Sequence, residues 1–331
     1  MLLAGEVIGP LRGARHRRAE IRRARVAHGL APGVALDSRP VNAFGSTGIE
    51  VSRLGLGAGG LGDVGLSESE AERLLLGAVD RGVTFVDAAR SYGAAEERIG
   101  RYLAARRDEV VLSTKGGYGV EGVADWTGDA IRLGVEDALR RMRTDRIDVF
   151  HLHSCPVEVL ARGDVVEALL AARSAGKIRV AAYSGENAAL SHAVESGAFG
   201  SVQCSVNVFD QRAVDGVIAA AAGRGMGVVG KRPLGNCAWR FAERPVGQYA
   251  EEYWLRMRAM AFDPSPLDWG ELALRFAAFT PGVCTVVVGT TRLEHLDANV
   301  RALERGPLDE PLRSRVRAAF VAHDDGWIGQ V

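Results

Sequence analysis

Four side chains suited to proton transfer occur in three short segments of the sequence. Asp87 and Tyr92 lie in FVDAARSYG, Lys115 ends VVLSTK, and His153 ends IDVFHLH. A free tyrosine has a pKa of about 10, which is too high for an efficient acid at neutral pH. A lysine ammonium beside the phenol lowers that pKa, and a carboxylate holds the ammonium in place. With a histidine to polarise a carbonyl, the set predicts a site that protonates a developing alkoxide.

Each of these segments ends a predicted β-strand. From about residue 42 onwards, short β-rich runs alternate with helical patterns, and no segment in between resembles a domain linker. A repeated unit of strand and helix implies parallel strands with right-handed crossovers. The predicted strands are Leu54–Ala58, Thr84–Ala88, Val110–Thr114, Ile147–Leu152, Ile178–Tyr183, Ser201–Ser205, Gly227–Gly230 and Cys284–Val288.

Eight such strands favour a (β/α)8 TIM barrel, an α/β fold, with a short N-terminal hairpin in NAFGSTGIEVSRL. A doubly wound sheet is the competing fold class. In a barrel, successive strand ends are neighbours on one rim, so we expect Asp87, Lys115 and His153 to converge. The one long interruption, Leu234–Pro266, follows the seventh strand, and we interpret it as a βα loop with some helix on the active-site face.

The glycine run LGLGAGGLG offers a different interpretation. Gly57, Gly59 and Gly62 match the G-x-G-x-x-G fingerprint of a Rossmann turn. That fingerprint requires its last glycine at the start of the helix, where the amino terminus meets a pyrophosphate. Here Ser67 and Glu70 have the spacing of a capping box, which predicts a helix that begins later. We therefore interpret the glycines as the end of the first barrel strand and its loop, kept small beside the ligand.

The sequence resembles the aldo-keto reductase family in the segments DAARSYG, STKGG, DRIDVFHLH, GKIRVAAYSG and VVVGTTRLEHLDANV, from roughly Arg39 to Gly306. The resemblance implies a barrel that binds NADPH without a Rossmann domain. It also implies an oxidoreductase that reduces an aldehyde or ketone, or oxidises an alcohol or sugar. In that family Tyr92 would be the general acid, with Lys115 and Asp87 tuning its pKa. His153 would orient the carbonyl.

The resemblance further implies contacts with the nicotinamide. Ser184 and Gln203 fall where the family holds the carboxamide. Gly185 follows the serine where asparagine is usual, and Asn187 is the nearby substitute.

A second group of cofactor contacts is implied further along the chain. Lys231 and Arg232 stand where many members stack a tyrosine on the nicotinamide. Four residues match the family's adenosine-phosphate clamp: Gly289, Thr290, Thr291 and Asn299. His295 occupies the position of the usual 2′-phosphate arginine, and Arg292 is close enough to compensate, because arginine suits phosphate better than neutral imidazole. We favour NADP(H) as the cofactor, with NAD(H) as the alternative.

Two other functions compete with this interpretation. In a strand, His151 and His153 point to one face, as in metal-dependent barrel hydrolases. His192 and His295 fall in helical patterns, which leaves no obvious third ligand, so we predict no metal. The other alternative is a non-catalytic subunit that senses the cofactor. The presence of all four reactive residues argues against it.

The composition gives no support for a nucleic-acid or membrane partner. Lys plus Arg and Asp plus Glu both number 41 in 331 residues, so net charge gives no reason to expect a nucleic-acid or membrane partner. No apolar run approaches the roughly 18 residues that span a bilayer. The four cysteines are widely separated and lack C-x-x-C spacing, which predicts reduced thiols in a cytoplasmic protein. The expected partner is a small-molecule carbonyl or alcohol.

The first 40 residues differ from the rest of the chain. They are rich in arginine and poor in acidic residues. We interpret residues 1–40 as a solvated extension, or as the product of a start codon assigned too far upstream. We predict that residues 41–331 form a single barrel domain.

Overall fold

A short antiparallel hairpin opens the part of the chain that the computed structural model describes, residues 41–331. Its strands are β1 (Val41–Ala43) and β2 (Glu50–Ser52), paired antiparallel. Eight parallel strands follow: β3 (Leu54–Gly57), β4 (Phe85–Asp87), β5 (Val111–Gly116), β6 (Ile147–His153), β7 (Ile178–Ser184), β8 (Ser201–Ser205), β9 (Gly227–Lys231) and β10 (Thr285–Gly289). The Arg-rich segment 1–40 lies outside the described residues.

The parallel strands form a closed barrel, because β10 pairs with β3 as well as with β9. This confirms the predicted (β/α)8 barrel and its hairpin, and it excludes the doubly wound sheet. The predicted strand bounds agree with the structure to within one or two residues.

Helices cover the outside of the barrel. They are α1 (Glu68–Asp80), α2 (Ala95–Leu103), α3 (Gly128–Arg141), α4 (Val157–Arg162), α5 (Asp164–Ser174), α6 (Asn187–Glu195), α7 (Val217–Gly223), α8 (Glu251–Met260), α9 (Trp269–Ala278), α10 (Leu293–Glu304) and α11 (Glu310–His323). Within residues 41–331, no helix combines the length and the apolar character needed to cross a membrane.

The hairpin closes the amino-terminal end of the barrel. Phe44, in the loop between β1 and β2, is fully buried. Its ring centroid lies 5.8 Å from that of Phe85, the first residue of β4. Gly227, the first residue of β9, leaves room for this ring, because a Cβ there would lie 2.7 Å from it. This end is therefore filled with apolar side chains, and the strand ends that carry Asp87 and His153 lie at the opposite end.

The start of α1 confirms the predicted capping box. The Ser67 side chain accepts from the Glu70 backbone N–H, and the Ser67 N–H donates to the Glu70 carboxylate at 3.1 Å. Gly62 ends a 3-10 turn, Gly59–Gly62, and lies before the cap rather than at the helix start. Gly62 therefore does not lie at a helix start, where the Rossmann fingerprint requires its last glycine.

The long segment after β9 contains helix, as predicted. A distorted 3-10 segment, Gly235–Arg240, leads to α8. Tyr253 and Met260 of α8 belong to a buried apolar cluster that also contains Val316 and Phe320 of α11. This packing anchors the segment to the body of the barrel, so its first residues are held at the carboxyl-terminal rim.

Candidate active site

A cavity of about 480 Å³ opens at the carboxyl ends of the barrel strands. All four predicted proton-transfer residues line it: Asp87, Tyr92, Lys115 and His153. Five of the residues predicted to bind the cofactor line it too: Ser184, Gln203, Lys231, Arg232 and Gly289. The remaining four lie beyond its lining: Thr290, Thr291, Arg292 and Asn299. The strand ends thus bring most of the predicted site into one space.

A buried ion pair forms the floor of the cavity. Lys115 Nζ lies 2.6 Å from Asp87 Oδ2 and donates to the Ala88 carbonyl at 2.6 Å. Asp87 also accepts from Ser113 Oγ at 2.7 Å and from Gln203 Nε2 at 3.1 Å. Burial opposes both charges, but the pairing and these hydrogen bonds lower the pKa of Asp87 and raise the pKa of Lys115. Both groups are therefore charged.

Tyr92 lies over this ion pair, with the Lys115 ammonium 5.1 Å from its ring centroid. Lys115 acts to lower the pKa of Tyr92, as predicted. The predicted net lowering is nevertheless wrong, because burial and the charge of Asp87, together with Tyr249 and Tyr118, outweigh the lysine and raise the pKa above its usual value. Tyr92 is therefore a neutral phenol at neutral pH, which is the form that can donate a proton.

His153 is held as a neutral imidazole. Burial, together with the charges of Lys115 and Lys231, lowers its pKa to about 3. Its Nδ1 lies 2.8 Å from the hydroxyl of Tyr118, a contact that the sequence does not predict. The only sequence signal for Tyr118 is its place in the loop just after the strand that carries Lys115.

A hydrogen-bonded chain connects the predicted carboxamide residues to the ion pair. Ser184 Oγ donates to Gln203 Oε1 at 2.8 Å, and Gln203 Nε2 donates to Asp87. Asn187, predicted as a substitute contact, does not line the cavity. Its side-chain amide instead exchanges two hydrogen bonds with the backbone of Gly329, at 2.8 and 3.0 Å. That pairing uses its oxygen and one of its two N–H donors.

Two cations line the side of the cavity formed by the end of β9. Lys231 Nζ lies 3.2 Å from the buried carboxylate of Glu186. Burial lowers the pKa of Lys231 in spite of that carboxylate. Arg232 donates from Nε to the Tyr249 hydroxyl at 2.6 Å, and its guanidinium lies 4.8 Å from the Tyr249 ring centroid. Glu186 and Tyr249 had no recognisable signal in the sequence.

The segment 289–292 lies beside the 3-10 turn Gly59–Gly62 at the edge of the cavity. A Cβ on Gly60 would lie 3.0 Å from the Thr291 side chain. Thr290 Oγ1 accepts from the Arg292 backbone N–H at 3.1 Å and lies 3.2 Å from His295 Nδ1. The Arg292 side chain is 65% exposed, so its guanidinium is accessible to a ligand.

The H-x-H pair lies at the carboxyl end of β6. His151 is fully buried, and its Nε2 lies 3.2 Å from Ser113 Oγ. Burial lowers the pKa of His151 to about 4. Within residues 41–331, no group of three or more His, Cys, Asp or Glu side chains could hold a metal ion. The four cysteines are free thiols, and Cys155 and Cys204 are buried.

Known proteins resemble this chain over most of its length. The model of the aldo/keto reductase family matches residues 53–319. The uncharacterized oxidoreductase YqkF of Bacillus subtilis (strain 168) is 25% identical over 285 residues, which cover 81% of this chain and 92% of that protein. L-galactose dehydrogenase of Arabidopsis thaliana is 24% identical over 304 residues, covering 84% and 93% of the two chains.

A solved structure has the same fold. The holo form of the aldo-keto reductase AKR11C1 from Bacillus halodurans matches with a TM-score of 0.75 and 24% identity. The match covers 85% of this chain and 96% of that one.

Proposed function

The chain belongs to the aldo-keto reductase family, a family of oxidoreductases that act on carbonyl compounds and alcohols, and we propose that it reduces an aldehyde or ketone with NADP(H). The reverse reaction, oxidation of an alcohol or sugar, uses the same groups. The observation that carries this proposal is the convergence of the neutral Tyr92 and the neutral His153 on one cavity. Below them lies the buried Asp87–Lys115 ion pair.

Tyr92 is the general acid in this proposal. Its neutral phenol donates a proton to the carbonyl oxygen as negative charge develops there. The Lys115 ammonium, 5.1 Å from the ring centroid, stabilises the phenolate that remains. Asp87 keeps Lys115 charged and fixed through the 2.6 Å contact. By stabilising the phenolate, Lys115 keeps the pKa of Tyr92 below the higher value that burial and Asp87 would otherwise give it.

His153 orients the carbonyl. A neutral imidazole with its proton on Nε2 can donate a hydrogen bond to the same oxygen without competing for the proton of Tyr92. The low pKa of His153 supports this role, because an imidazolium would itself be a strong acid in the site.

The cavity has groups suited to a nicotinamide dinucleotide, which supplies a hydride to the carbonyl carbon when bound. Ser184 and Gln203 offer a donor and an acceptor for the carboxamide, and Lys231 and Arg232 offer positive charge to the pyrophosphate. Gly59 lines the cavity, and a Cβ there would meet no protein atom within 4 Å, so a side chain at this position would extend into the space for the cofactor.

The adenosine phosphate would be held by Gly289, Thr290, Thr291 and Asn299. Arg292 would bind the 2′-phosphate, which favours NADP(H) over NAD(H).

Rapid mixing tests this function directly. The protein is loaded with NADPH or NADH and mixed with a panel of aldehydes, ketones and sugar lactols, and cofactor oxidation is followed by absorbance. We expect at least one carbonyl class to oxidise the cofactor. Tight cofactor binding without oxidation by any carbonyl would contradict the proposal and favour a cofactor-sensing subunit.

A further inference from the structure

Tyr118 packs against His153 from the loop that follows β5. The two ring centroids lie 5.6 Å apart with an interplanar angle of 24°, and the Tyr118 hydroxyl is 2.8 Å from His153 Nδ1. The same hydroxyl lies 3.3 Å from Ser91 Oγ. Tyr118 does not line the cavity, so any effect on the reaction passes through His153.

The loop around Tyr118 is built to hold this side chain in place. Gly117 and Gly119 flank it with positive φ angles of 130° and 69°. A Cβ on Gly117 would lie 2.2 Å from the ring of Trp126, and that ring packs edge-on against Tyr118 at 5.6 Å. The Trp126 N–H donates to the Gly117 carbonyl at 2.7 Å, and the Gly119 N–H donates to Asp125 Oδ1 at 2.8 Å. Hydrogen bonds on both sides of Tyr118 therefore fix its position over His153.

A neutral imidazole carries one proton, and the nitrogen that holds it decides what the other nitrogen can do. If Tyr118 donates to Nδ1, the proton of His153 must be on Nε2, which can then donate to a ligand. If the proton is on Nδ1 instead, Nε2 can only accept. The Tyr118 hydroxyl would then accept from Nδ1 and donate to Ser91 Oγ at 3.3 Å. The 2.8 Å contact is a hydrogen bond in both cases, and it is shorter than the roughly 2.9–3.0 Å typical of an N–H donor, which favours the hydroxyl as the donor to Nδ1.

We propose that Tyr118 is a positioning residue that keeps His153 in its Nε2–H tautomer, so that the ring donates a hydrogen bond to the substrate carbonyl. The catalytic consequence rests on the proposed reductase function. The tautomer itself does not, because it is a property of the protein without substrate.

Nitrogen-15 NMR of protein labelled at histidine tests the tautomer at neutral pH. The signals of His153 are assigned by their loss in His153→Gln. We expect the wild-type spectrum to show a protonated Nε2 and an unprotonated, hydrogen-bonded Nδ1. The variant Tyr118→Phe keeps the stacked ring but removes the hydroxyl, and we expect it to show a mixture of the two tautomers. We expect its kcat to fall roughly three- to tenfold, the loss of one neutral hydrogen bond, with cofactor affinity unchanged.

Tyr102→Phe is the matched control, because the Tyr102 hydroxyl donates to Glu68 at 2.8 Å on the outside of the barrel. We expect this variant to leave both the His153 signals and kcat unchanged. A wild-type spectrum with the proton on Nδ1 would overturn the proposal even if Tyr118→Phe failed to fold. An unchanged tautomer and rate in a folded Tyr118→Phe protein would overturn it as well. Failure of every carbonyl substrate would refute the proposed function alone, since the tautomer is measured without turnover.

Discussion

Gly62 lies directly against the backbone of Tyr92. A Cβ built on Gly62 would lie 1.9 Å from the Tyr92 carbonyl oxygen, closer than any real side chain approaches. Gly57 and Gly59 line the cavity, but Gly62 does not. The expectation that all three glycines are small because of the ligand is therefore wrong for Gly62. It is small because the loop carrying Tyr92 occupies the space of its side chain.

We expect Gly62→Ala to displace the Tyr92 loop. Because a shift of about 1 Å in a reacting group can lower a rate by about 100-fold, kcat/KM should fall by roughly that factor. Gly223→Ala is the control, since a Cβ at Gly223 meets no heavy atom within 4 Å. Steady-state kinetics on both variants, with circular dichroism to confirm folding, makes the comparison. Equal activity in the two variants would show that the contact does not position Tyr92.

We expect Tyr92→Phe to remove the proton donor while leaving the ring. General acid catalysis contributes about 100- to 10,000-fold, so single-turnover oxidation of the cofactor should slow by that amount. Cofactor affinity, measured by fluorescence titration, should change little, since the phenol donates to the substrate. A wild-type kcat in this variant would refute the proposed mechanism.

We expect Asp87→Asn to destabilise the fold as well as the reaction. The substitution leaves the Lys115 ammonium, 2% exposed, without its counter-charge, and breaking a buried pair costs about 3–5 kcal/mol. Urea unfolding measures the loss. Asp108→Asn is the control, because Asp108 pairs with Arg146 at the surface and is 90% exposed. Its free energy of unfolding should change by less than about 1 kcal/mol. Equal losses in the two variants would contradict the assignment of a charged buried pair.

Stability should fall as the pH is lowered below about 6.5, the ordinary pKa of histidine. In the folded protein the pKa of His151 is about 4 and that of His153 about 3, so the unfolded chain binds more protons in this interval. Each group contributes a slope of at most about 1.4 kcal/mol per pH unit. His153→Gln should therefore show a shallower pH dependence in urea unfolding between pH 6.5 and 4. An unchanged slope would mean that His153 is already protonated in the folded state.

We expect Arg292→Ala to weaken NADPH selectively. A hydrogen bond to a charged group contributes about 1.5–3 kcal/mol, so the KM for NADPH should rise roughly tenfold or more. NADH lacks the 2′-phosphate and serves as the internal control, with an unchanged KM. A similar increase for both cofactors would show that Arg292 does not recognise the 2′-phosphate.

The sequence alone determined the barrel and the identity of the residues at its rim. Alternation of β-rich and helical segments predicts the eight parallel strands, because each strand must bury its side chains under a helix. Residues that end neighbouring strands must meet, so the strand pattern is enough to place Asp87, Lys115 and His153 in one site. Ser67 and Glu70 likewise marked the start of α1, since a capping box depends only on local spacing.

The tertiary structure decided the contacts between loops and the electrostatic balance inside the cavity. Tyr118 meets His153, and Asn187 meets Gly329, because packing sets the path of each loop, and no local pattern encodes that path. The sign of the Tyr92 pKa shift also depends on three-dimensional burial. The lysine was visible in the sequence, but the desolvation that outweighs it together with Asp87 and the neighbouring tyrosines was not. Pairings between strands follow from periodicity, whereas contacts between loops and the solvation of buried charges depend on the whole fold.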